Sequence, residues 1–115
     1  MNLNNHFRKK YPQLEYLFIS GNTERIFLSQ IVIKPEFRSN GLGSKIIKDL
    51  VAYADKTSSI IYLSPDNCLD ASSLTRLVKF YKRFGFVMNK GKNKDFTTME
   101  AMLRRPKSKE LNHAR

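Results

Sequence analysis

Apolar and polar residues along this chain fall into blocks with two different periods. Leu14 to Ser20 (LEYLFIS) and Arg25 to Lys34 (RIFLSQIVIK) are rich in aromatic and β-branched side chains and are separated by Gly21-Asn22, which predicts a β-hairpin. Pro35 ends the second strand, since it cannot donate to a ladder and restricts the residue before it. Farther on, Ile46, Ile47, Leu50, Val51 and Ala54 recur at helical spacing with Lys45, Lys48, Asp49 and Asp55 off the stripe, so a helix is predicted from about Gly43 to Lys56. Ser59 to Ser64 (SIIYLS) is a short, nearly continuous apolar run stopped by Pro65, as in a strand buried on both faces. Strand, helix and strand together make a βαβ unit. Asp70-Ala-Ser-Ser offers N-cap residues for a second helix with the stripe Leu74, Leu77, Val78 and Tyr81, ending before Gly85. Phe84 to Met88 then reads as a strand, Asn89 to Asp95 as a basic turn, and Phe96 to Leu103 as a final antiparallel strand. From Pro106 onward no periodicity remains, and a frayed tail is expected.

Composition narrows the classes. A chain of 115 residues with 41% hydrophobic and 11% aromatic side chains has the apolar content for one packed domain and is not a disordered polymer. Its apolar runs fall far short of the ~20 residues that cross a bilayer, and no apolar stretch follows the basic N-terminal residues as in a secretory signal. No membrane association is expected, and a cytoplasmic location is. Cys68 has no partner for an internal disulfide, and His6 and His113 stand too far apart to suggest metal ligands, so neither a structural metal nor a metal cofactor is expected. Charge is uneven: the net +11 divides into +2 over residues 1–75 and +9 over residues 76–115. Such a surface attracts anions, whether an acidic protein, nucleic acid or a polyphosphate group. The aromatics interleaved with the basic run, Phe80, Tyr81, Phe84 and Phe86, lie at spacings that bury them, which argues against base stacking.

The loop between the second strand and the first long helix carries the chemistry. Arg38-Ser39-Asn40-Gly41-Leu42-Gly43-Ser44 places two glycines where the chain turns, just before a helix N-terminus whose amides lack partners. That combination suits a phosphate group. It lacks the Gly-Lys-Ser/Thr ending of a nucleotide-triphosphate loop and the third glycine of a dinucleotide fingerprint. The stretch IVIKPEFRSNGLGSKII resembles the acetyl-CoA-binding motif of the GCN5-related N-acetyltransferases (GNAT): a strand, a proline, then Arg-x-x-Gly-x-Gly opening a helix. Downstream, LVKFYKRFGF (Leu77 to Phe86) resembles the Leu-Tyr-x-x-x-Gly-Phe ending of the family's second core helix.

The resemblance implies an α/β GNAT fold, with a mixed central β-sheet flanked by helices and the usual N-terminal strand and helices largely missing, because only Met1 to Gln13 precede the first strand. It implies one abbreviated domain over residues 1–105, followed by a basic tail over 106–115. Acetyl-CoA is the implied cosubstrate. Arg38, Ser39, Asn40, Gly41, Leu42, Gly43 and Ser44 would hold its pyrophosphate, and Ile31, Val32 and Ile33 would pair with its pantetheine arm, one of their N–H groups polarising the thioester carbonyl. Tyr81 would stand near the sulfur as the catalytic proton donor. Where family members often carry an acidic side chain, Leu28-Ser29-Gln30 is neutral; the base is left unassigned among water, Asp66 and the substrate's own ionisation. The implied activity is transfer of acetyl from acetyl-CoA to a primary amine, on a protein or peptide, by direct attack in a ternary complex. An open cleft suits an acidic macromolecular acceptor or completion by a second copy in a homodimer. The alternatives are a non-catalytic acyl-CoA-binding module and a basic nucleic-acid-associated protein on the same scaffold.

Overall fold

A computed structural model describes residues 2–38, 41–65 and 71–107. The order is helix α1 (Leu3–Lys10), strands β1 (Leu14–Gly21) and β2 (Arg25–Ile33), helix α2 (Leu42–Thr57), strand β3 (Ile60–Leu63), helix α3 (Ala71–Lys82), and strands β4 (Val87–Met88) and β5 (Met102–Arg104). The sheet runs β1-β2-β3-β5-β4. β2 and β3 are parallel, joined by α2, and the other pairings are antiparallel. The α/β arrangement read from the periodicity is therefore the one formed, with a mixed central sheet and flanking helices.

The apolar stripe of α2 explains the core. Ile46, Ile47, Leu50 and Ala54 are buried and meet Leu17, Ile19, Leu28 and Ile31 of the hairpin together with Phe7 of α1. Tyr81 of α3 joins the same cluster. All three helices thus cover one face of the sheet. The first-turn residue Asn4 does more than help to start α1: its side-chain amide donates to the Ile19 carbonyl and accepts from the Ile19 N–H, both at 2.8 Å, while Arg8 donates to the Leu17 carbonyl at 2.6 Å. These side chains fill hydrogen-bonding positions along the outer edge of β1, which as a bare edge would offer itself to another strand.

Two elements differ from the sequence reading. The last strand is confined to Met102–Arg104, and the strand expected from Phe84 reduces to Val87–Met88. The cause is Asn89, buried at 8% exposure. Its Oδ1 accepts from the Asp95 N–H at 2.6 Å and its Nδ2 donates to the Glu100 carbonyl at 2.8 Å. Residues 89–101 wrap around this amide rather than extending. They lie against the sheet face opposite the helices, where Asp95 bonds the hydroxyl of the fully buried Tyr62. Beyond β5, the described part of the tail is held: the Lys107 N–H donates to Asp55 at 2.9 Å. Among the described residues no helix is long and apolar enough to cross a membrane.

Candidate active site

β2 is nine residues long, but β3 pairs only with its first four, Arg25 to Leu28. Opposite β1, the register passes from Ile19↔Leu28 to Phe18↔Gln30, so Ser29 is an extra residue in β2. Such a bulge bends its strand and interrupts pairing. The two parallel strands accordingly part after Leu28, and the backbone of Gln30 to Ile33 has no strand partner on the β3 side among the described residues. Sequence reasoning missed Ser29; the polar pair Ser29-Gln30 interrupting an apolar strand is its only trace in the sequence.

α2 begins beside the end of this fork. Its N-cap is Gly41, at φ 77°, a left-handed conformation that side-chain-bearing residues adopt at a cost. Among the described residues no side chain caps the helix there, and the first-turn amides of Leu42, Gly43 and Ser44 have no intrahelical acceptor. A Cβ on Gly43 would lie 3.8 Å from both Ile33 Cδ1 and Phe80 Cζ, so β2, α2 and α3 converge at that point. Arg38 is exposed and its Nε donates to the Ile33 carbonyl at 2.8 Å. The structure thus brings together Ile31, Val32, Ile33, Arg38, Gly41, Leu42, Gly43 and Ser44; Ser39, Asn40, Asp66 and Cys68 lie outside the described residues. An extended arm ending in a pyrophosphate fits these features, with backbone partners along β2 and amides at the helix start.

Tyr81 is 7% exposed, packed edge-on against Phe80 and Phe86. Burial pushes its phenol up to about 12, so it stays protonated at neutral pH. Arg104, from the basic C-terminal cluster, is 3% exposed and forks onto the Asp55 carboxylate at 2.8 and 3.1 Å, with its Nε on the Phe84 carbonyl. It is a staple between β5 and α2, and has no free charge to offer a partner. Burial alone would raise the Asp55 carboxyl, but hydrogen bonds from Arg104 and the Lys107 N–H outweigh it and hold the group below its ordinary value. Around this pair an open groove of about 500 Å³ is lined by the cationic side chains of Lys48, Lys82, Arg83 and Lys107 together with Val51, Ala52 and Phe84.

Residues 13–88 match the family model described as an acetyltransferase (GNAT) domain. The chain belongs to the GNAT family. The motif resemblance is thereby borne out at family level. Among solved structures, a Bacteroides thetaiotaomicron protein assigned to the GNAT acetyltransferases superposes with a TM-score of 0.56 at 18% identity over 85% of this chain, which spans 59% of that one. Ard1 from Thermoplasma volcanium superposes with a TM-score of 0.50 at 16% identity, covering 90% of this chain and 78% of that one. At these identities the likeness is one of GNAT fold. No curated protein matches the chain. Among the described residues no three His, Cys, Asp or Glu side chains gather where a metal could bind.

Proposed function

We propose that this GNAT domain transfers the acetyl group of acetyl-CoA to a primary amine of a protein or peptide. The observation that carries the reading is the fork: a bulge at Ser29, a freed β2 edge and the uncapped α2 start at Gly41 occur in one place. The β2 edge would bind the pantetheine arm as an added strand, and the amides of Gly41, Gly43 and Ser44 would take the pyrophosphate. An N–H of the freed edge, fixed in place before the reaction, would stabilise the oxyanion formed when the amine attacks the thioester carbon. Tyr81 would donate a hydrogen bond to the departing sulfur. Full proton transfer from a phenol at about 12 to a thiolate whose acid is near ~8.5 is uphill by roughly 5 kcal/mol, so the hydrogen bond rather than the transfer is the contribution. The pyrophosphate residues Ser39 and Asn40 of the motif belong to the same assignment. We assign residues 1–105 to the catalytic domain and 106–115 to a basic segment that follows it.

The acceptor class follows from charge and access. The cationic groove bounded by Lys48, Lys82, Arg83 and Lys107 favours an acidic protein, docked away from the reacting atoms. A cytoplasmic location suits this substrate. The test is mass spectrometry of candidate proteins incubated with the purified chain and labelled acetyl-CoA, beside calorimetric titration of the coenzyme. Label on lysine or N-terminal amines supports the proposal. Coenzyme binding with no label transferred to any amine supports the second reading, a non-catalytic acyl-CoA-binding module, which the neutral Leu28-Ser29-Gln30 stretch favours.

A further inference from the structure

The reaction leaves the proton of an acceptor ammonium without a destination on β2, where Leu28, Ser29 and Gln30 are neutral. A carboxylate does stand just past the end of β3, where its pairing with β2 stops, on a segment distant in sequence. Ser64 directly follows Leu63, the last residue of β3 that pairs with β2. Its hydroxyl donates to Glu100 Oε1 at 2.7 Å and accepts the Ala101 N–H at 2.9 Å. Strand alternation puts Ser64 on the face of Tyr62, whose ring stacks on Phe27 with centroids 4.9 Å apart, and away from the helices. Glu100 is positioned from its backbone as well: its carbonyl accepts from Asn89 Nδ2 at 2.8 Å and its N–H donates to Thr98 Oγ1 at 3.2 Å. Among the described residues its second oxygen, Oε2, has no hydrogen-bond partner. The nearby acid Asp95 is already committed to Tyr62, Thr97 and Arg25.

We propose that Glu100 binds the acceptor ammonium and takes its proton, and that the acceptor enters over the sheet face that no helix covers among the described residues. The inference rests on the acetyl-transfer reading above. With the coenzyme arm lying in the plane of the sheet and α1, α2 and α3 on one side, the thioester is reachable from the other. On that side β1 presents Tyr16 and Phe18, each 45% exposed, and Met99, next to Glu100 in the chain, is 95% exposed. An ammonium flanked by apolar side chains of a polypeptide fits such a surface better than a small hydrophilic amine. In the step itself, an N–H bond of the ammonium breaks and the proton passes to Glu100 Oε2. The freed lone pair forms the C–N bond, and the C–S electron pair leaves with sulfur. The surplus proton on the new amide nitrogen ends on that sulfur by way of solvent, and Glu100 returns its own proton to water.

The test needs no knowledge of the acceptor. S-(2-aminoethyl)-coenzyme A places an ammonium just beyond the sulfur, and S-propyl-coenzyme A is its uncharged counterpart of equal length. Calorimetric titration should show the wild-type protein preferring the ammonium probe by about tenfold, the scale of a charge-assisted hydrogen bond. Glu100→Gln keeps an acceptor for Ser64; it should bind S-propyl-coenzyme A as wild type does and lose the preference. Ser64→Ala should reduce the preference without abolishing it. Equal wild-type affinity for the two probes, or a preference that survives in Glu100→Gln, overturns the role of Glu100 alone. Binding of neither probe overturns the acetyl-transfer reading and this inference with it.

Discussion

Gly43→Ala separates what the fold needs at the α2 start from what the coenzyme needs. In the free protein the added methyl finds room: its carbon would stand 3.8 Å from Ile33 Cδ1 and from Phe80 Cζ, ordinary van der Waals separations. Gly43 lies in the first turn of a helix with no positive φ, so alanine should raise stability, by up to about 1 kcal/mol from helix propensity. A chain of this size should then melt higher by up to roughly 4 °C. The same methyl narrows the gap between β2 and α3 through which the pantetheine arm would pass, and stands beside the amides that would meet the pyrophosphate. Lost contact and displaced phosphate together should weaken acetyl-CoA binding by about tenfold or more, roughly 1.4 kcal/mol per decade. Gly41→Ala provides the opposite signature: no atom lies within 4 Å of its Cβ, but φ 77° imposes strain on any side chain. That variant should lose about 1–2 kcal/mol of stability. Differential scanning fluorimetry and calorimetry on the two proteins give all four numbers. A Gly43→Ala protein that is folded, stabilised and still binds acetyl-CoA at wild-type affinity refutes the coenzyme site; one that melts lower refutes the packing argument.

Other outcomes can be checked separately. Tyr81→Phe keeps the packed ring and removes a hydroxyl with no hydrogen-bond partner among the described residues, so the variant should fold, bind acetyl-CoA normally and turn over about 10- to 100-fold more slowly; unchanged kcat returns Tyr81 to a packing role. Asp55→Asn leaves Arg104 charged at 3% exposure and should cost about 2–3 kcal/mol in urea denaturation, somewhat below a fully buried pair because the Asp55 side chain is 29% exposed. The Asp55 carboxyl is held below its ordinary value of 3.8, so its stabilisation is complete above that pH and disappears as pH falls through the lower folded value. Denaturation midpoints of the wild type should therefore drop on acidification below about pH 4, and less so in Asp55→Asn. Replacing Lys48, Lys82, Arg83 and Lys107 by Gln should slow association with an acidic acceptor at low salt and flatten its salt dependence while sparing acetyl-CoA affinity; identical acceptor kinetics would exclude the groove as a docking surface.

The elements with a strong repeating pattern were legible in advance. The α2 stripe Ile46, Ile47, Leu50 and Ala54, the hairpin about Gly21-Asn22 and the parallel crossover to Ile60–Leu63 all formed where hydrophobic period and turn residues placed them, because each is specified by residues close in the chain. The turn into α2 was readable for the same reason, since the left-handed backbone at its N-cap falls on a glycine, Gly41. Family membership was carried by those local motifs.

What the tertiary structure alone decided involves partners far apart in sequence. Whether Arg104 is a free charge or a buried staple depends on Asp55, 49 residues away, and nothing in its own basic neighbourhood reveals that. The stretch from Phe96 has enough alternation for a strand, yet the Asn89 side chain captures its backbone groups before a neighbouring strand can. The fork after Leu28 exists because an extra residue in β2, seen only against β1, coincides with the end of pairing to β3. The meeting of Glu100 with Ser64 just past the end of β3 likewise needs β5 to dock beside β3. Local periodicity fixes which backbone conformations a segment favours, whereas the hydrogen bonds that place charges and open an edge are set by which distant segments the sheet brings side by side.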